Sequence, residues 1–124
     1  MTKLTQERKF DALIATEVMG WVLHLEFRDH KTYVLPDGET CVSEKLIPHF
    51  STDIADAWKV ADKLVEDGYT FLYHHNRKDA TPASVAGIAA LFYRHDAVLQ
   101  HDWTHADTAP LAICLAARDA IERR

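Results

Sequence analysis

The stretch that most limits the fold is residues 48–66, "PHFSTDIADAWKVADKLVE". Ile54, Ala57, Trp58, Ala61, Leu64 and Val65 recur at helical spacing and form one apolar stripe. Asp56, Lys59, Asp62, Lys63 and Glu66 cover the other faces. An amphipathic helix of this length is marginal alone and needs an apolar surface to lie on. Ser51 or Thr52 is the expected cap, and Asp53 suits the positive end of the dipole. With Ser51 as the cap, Phe50 is placed to staple onto Ile54. Gly68 stops the helix.

The flanking segments supply the missing surface by switching period. Residues 3–19 predict a first helix, with Phe10, Leu13, Ile14 and Val18 on one face, Thr5 as cap and Gly20 as stop. "WVLHLEFRDHKTYVL" (21–35) alternates, with Trp21, Leu23, Leu25 and Phe27 on one side, and predicts a hairpin that turns at "RDHK". "PDGE" (36–39) is a turn by its chemistry, and residues 40–49 read as a loop. "YTFLYHHN" (69–76) reads as a strand, followed by the turn-rich "RKDATPAS". "VAGIAALFYRH" (85–95) permits a helix, but its Gly and its Leu-Phe-Tyr run favour a strand paired with 69–76; "DAVLQHDWTH" offers a further short strand. A last helix runs from "ADTAP" to about Ile121, capped by Thr108, with Pro110 in its first turn. It is apolar enough to be packed on more than one side.

The order α, β-hairpin, α, β, β, α predicts an α+β fold, an α/β/α sandwich in which helices cover both faces of a small, mainly antiparallel sheet. At 124 residues the whole chain, 1–124, reads as one domain without repeats, and 48% hydrophobic against 27% charged residues fits a globular protein. The net charge of −5 argues against duplex nucleic acid, which demands a concentrated basic face. A small phosphorylated ligand needs only a few local cations. No apolar run approaches a membrane span, no signal peptide is evident, and two cysteines make no disulfide or zinc framework, so the cytoplasm is the default location.

Three groups of residues are candidates for binding. The free N–H groups at the start of the second long helix attract anions, which nominates His49, Ser51 and Thr52. Against this, Asp53 occupies the field that a phosphate would use. Thr108 presents the same choice at the last helix. Phe71, Tyr73, Phe92 and Tyr93 lie on adjacent predicted strands beside Arg77 and Arg94, and rings with arginine can hold a base and its phosphate. Most of these rings are sheet core by default. Tyr93, Arg77 and Arg94, with Tyr73, are the ones whose polar ends call for water or a partner.

Eight histidines raise a metal site, with His101 and His105 of "HDWTH" beside Asp102 and Asp107, and His74 and His75 on a strand. The i,i+4 pair converges only on a helix, and neighbouring strand residues point apart, so solvated histidines are the plainer reading. No serine sits in a nucleophile elbow, and Cys114 lies in an apolar run; the sequence singles out no catalytic constellation and calls for no cofactor.

"EVMGW" (17–21), "PHFSTDIADAWKVADKL" (48–64) and "ADTAPLAICLAARDAI" (106–121) together resemble the phage ABA sandwich domain family, in that order and over most of the chain. The resemblance implies a small α–β–α protein encoded by a phage or prophage, with the host bacterial cytoplasm as its location. Small phage proteins of this general kind include counter-defence sponges. The expectation is therefore a non-enzymatic protein that sequesters a small nucleotide signal at a subunit interface of a homo-oligomer. The alternatives are a module that blocks or scaffolds a host or virion protein, and a His/Asp metal-dependent hydrolase.

Overall fold

The structure, a computed structural model, describes residues 5–28, 30–79, 81, 86–94 and 103–122. Its elements are α1 (Gln6–Glu17), β1 (Val22–Phe27), β2 (His30–Val34), β3 (Cys41–Ser43), a 3-10 turn (Glu44–Leu46), α2 (Ile54–Glu66), β4 (Thr70–His75), β5 (Ile88–Tyr93), β6 (Thr104–Ala106) and α3 (Ala109–Glu122). This is the expected α+β sandwich. Among the described residues the strands form two antiparallel three-stranded sheets, β1-β2-β3 and β4-β5-β6. The segment read as a loop supplies β3 and the 3-10 turn.

Helix ends follow local chemistry, with one correction. The Thr5 Oγ1 accepts the Arg8 N–H at 3.2 Å, and the Thr108 Oγ1 accepts the Leu111 N–H at 3.4 Å. At α2 the cap is Asp53, not Ser51 or Thr52: its Oδ1 accepts the Asp56 N–H at 3.1 Å. The Asp56 carboxylate then reaches back to the His49 N–H at 2.8 Å, a two-way clamp on the helix start. Ser51 is displaced from that duty by burial. Its N–H donates to Asp11 Oδ1 at 2.8 Å, and its hydroxyl lies 3.5 Å from the Glu7 carbonyl. With the cap two residues on, Phe50 is no staple. It is 1% exposed in the core, whereas Ile54 is 43% exposed. At the other end of α2, Gly68 takes φ +101°, which lets the Tyr69 N–H return to the Leu64 carbonyl at 3.0 Å.

The buried stripe of α2 is Ala57, Val60, Ala61 and Leu64. It is centred one position away from the expected stripe, leaving Trp58 at its margin, edge-on to Phe71 (5.6 Å between ring centres) and Tyr73 (6.3 Å). Helix α3 packs on α2, β5, β6 and α1, and its alanines Ala112, Ala116, Ala117 and Ala120 let all of these approach. The core gathers Ile14, Val18, Tyr33, Ile47, Phe50, Val60, Leu64, Phe92 and Ile113 around it.

An unforeseen joint ties α1 to the segment before α2. The Arg8 Nη1 meets Asp11 Oδ2 at 2.9 Å, and its Nη2 donates to the Ile47 carbonyl at 2.7 Å. Asp11 is fully buried, and its other oxygen holds Ser51. Nearby, the Cys114 Sγ donates to the Phe50 carbonyl at 3.1 Å.

Strand β1 departs furthest from expectation. All six of its residues are exposed. The pairing with β2 slips between Leu23, opposite Tyr33, and Leu25, opposite Thr32, so His24 has no partner across the ladder. One surplus residue inverts a period-two pattern. Leu23 shares the side of buried Tyr33, but Val22, Leu25 and Phe27 share the side of Val34, Thr32 and His30 and stand 63%, 60% and 69% exposed.

Candidate functional site

The second sheet builds a cleft at one end. In the ladder, His75 lies opposite Ile88, and Ile88 opposite Ala106. Pairing continues past the strands: the Asn76 N–H donates to the Gly87 carbonyl at 2.8 Å, and the Gly87 N–H to the Arg77 carbonyl at 3.4 Å. On the third strand the chain leaves Ala106 through Asp107 into the cap of α3. Three separate stretches of the chain thus converge. They line a cleft of about 570 Å³ with His75, Asn76, Lys78, Gly87, His105 and Asp107 among its walls. That volume falls within the roughly 300–1,000 Å³ of small-molecule sites.

Its chemistry suits an anion with polar groups attached. Lys78 has no carboxylate partner among the described residues, and two imidazoles stand with it. Asn76 adds an amide and Asp107 a single carboxylate acceptor. Among the described residues the lining carries no Ser, Thr, Cys or Tyr that could act as a nucleophile. Cys114, elsewhere, is fully buried; burial first, and the Asp11 carboxylate second, push its thiol up to about 12.

The structure does not bring the residues nominated from sequence into one place. Arg77 adjoins the cleft, but it is largely exposed and pairs with Asp79 at 3.1 Å. Thr108 follows Asp107 and is occupied as a cap. Tyr93 and Arg94 lie at the opposite end of β5, about 16 Å away at strand rise. There the Arg94 guanidinium covers the Tyr69 ring at 4.8 Å. His49 and Thr52 stand exposed at the start of α2, with Ser51 buried between them. Phe71 and Phe92 stack at 4.7 Å in the sheet core, as expected by default. Sequence reasoning missed Asn76, Lys78 and Gly87 and weighed His75, His105 and Asp107 only as metal ligands. The available signal was "HHNRK" facing a turn.

His101 and Asp102 lie outside the described residues. Among the described residues no three His, Cys, Asp or Glu side chains gather around a point that would hold a metal, and no helix is long and apolar enough to cross a membrane.

A family model, the phage ABA sandwich domain, matches residues 12–118, which include every cleft residue. The chain belongs to the phage ABA sandwich domain family. A 2.0 Å crystal structure of a phage protein from Bacillus cereus ATCC 14579 shares this ABA sandwich fold, with a TM-score of 0.60 and 24% identity over 94% of this chain and 93% of that one. No curated protein matches the chain.

Proposed function

We propose that this ABA sandwich protein sequesters a small nucleotide signal in the cleft without transforming it, in the service of phage counter-defence. The observation that supports the reading is the cleft's set of polar groups: the Lys78 ammonium and the His75 imidazole for phosphate, with Asn76 and Asp107 for hydroxyl or amide groups. Sequestration needs affinity alone, which fits a lining whose described residues include no hydroxyl or thiol. Isothermal titration with cyclic nucleotides and cyclic ADP-ribose isomers tests it. One of them should bind in the micromolar range or tighter. Lys78→Glu should weaken that binding by at least about tenfold, the scale of a charge-assisted hydrogen bond, while Arg94→Ala leaves it unchanged. No heat with any of them ends the reading.

The outer side of the first sheet favours a second reading, in which the protein is an interaction module. Val22, Leu25 and Phe27 form an apolar surface of the kind that marks docking sites, for another copy of the chain or for a host or virion protein.

A further inference from the structure

We infer that the cleft recognises the base of its ligand through the ring of His105, backed by His74 and Trp103, so that its ligand class is a nucleotide rather than a sugar phosphate or an inorganic anion. This rests on the binding reading above and concerns what that site selects.

Three strands meet in one rung at this end of the sheet. Ala89 on β5 lies opposite His74 on β4 and opposite His105 on β6. All three side chains therefore share one face. Strands two apart are separated by about 9.5 Å, yet the two imidazole centres lie 6.2 Å apart. They lean together because Ala89, fully buried, offers only a methyl group between them. Trp103, two residues before His105, also packs against His74, with 4.6 Å between ring centres. The result is a cluster of three flat rings.

The cluster is continuous with the cleft at two points. His105 belongs both to the cluster and to the cleft wall and is exposed. Asn76, also in the wall, approaches His74 Nδ1 through its Nδ2 at 3.4 Å. His75 and Lys78 approach the cleft from the β4 side and His105 from the β6 side. A ligand spanning it meets the Lys78 ammonium and the His75 imidazole at one end and the His105 ring at the other, the order of groups in a nucleotide. Bases stack on histidine as on the larger aromatics, and each stacked base contributes a factor of about 5 to 150 in affinity.

The test compares a panel of 5′-mononucleotides with ribose 5-phosphate on the intact protein. The tightest-binding nucleotide should exceed ribose 5-phosphate by about 5- to 150-fold. His105→Ala should erase that difference and leave ribose 5-phosphate binding as it was, whereas His105→Phe, which keeps a ring, should preserve it. Equal affinity for nucleotide and ribose 5-phosphate, or an equal loss for both in His105→Ala, overturns base recognition and leaves anion binding in place. If no member of the panel binds, this inference falls, and the sequestration reading is decided by the cyclic-nucleotide titration. His105 is exposed, so its variants are expected to fold; circular dichroism confirms that before titration.

Discussion

Asp11→Ala should lower the unfolding free energy by about 3–5 kcal/mol, the cost of breaking a buried ion pair from one side. The carboxylate is fully buried and does two tasks. One oxygen pairs with Arg8, whose side chain is only 16% exposed, and the other accepts the N–H of buried Ser51. Truncation leaves the guanidinium without its counter-charge, with only backbone carbonyls to accept from it, and leaves the Ser51 N–H without its acceptor; each lost partner adds a desolvation cost. Asp11→Asn keeps an acceptor for Ser51 and should cost less. Against a total stability of about 5–15 kcal/mol, the alanine variant loses a large fraction of the whole. Urea unfolding followed by circular dichroism measures it. A loss under about 1 kcal/mol, the range of an exposed pair, would mean that Arg8 and Asp11 do not hold α1 in place.

Phe50→Ala should cost about 3–5 kcal/mol as well, for a different reason. Phe50 is among the largest fully buried side chains, and its own carbonyl receives the Cys114 thiol. Removing the ring leaves a cavity where the segment before α2 meets α3. Ile54→Ala is the control. Ile54 is 43% exposed, so its truncation should cost under about 1 kcal/mol. If Phe50 worked instead as a staple on Ile54, the two losses would be comparable. Equilibrium unfolding of both variants separates the cases.

These two residues also show where sequence reasoning stops. Caps and turns are local chemistry, and Thr5, Thr108 and "PDGE" act as their residues dictate; Asp37 Oδ1 accepts the N–H groups of Glu39 and Thr40, both at 2.8 Å. The hydrogen bonds from Thr40, its hydroxyl first, hold the Asp37 carboxyl below its ordinary range. At "STD" three consecutive residues can cap, and only the burial of Ser51 against Asp11 decides for Asp53. Arg8 and Asp11, three apart on a helix, look like any surface pair until the Ile47 carbonyl closes over them. The amphipathic stripe of α2 was legible, but its centre depended on where β4 placed Phe71 and Tyr73. The cleft was hidden for the same reason. His75, Gly87 and His105 become neighbours through strand register, which leaves no mark in any single segment.

The slip at His24 means that the span from Gly20 to Arg28 is constrained by its length as well as by its side chains. The odd–even alternation before the slip is in opposite phase to the alternation after it. Losing a single codon there would exchange inside for outside along half a strand, a larger disturbance than most replacements in the same span. Tolerance of that hairpin to point changes would therefore say little about its tolerance to a change of count.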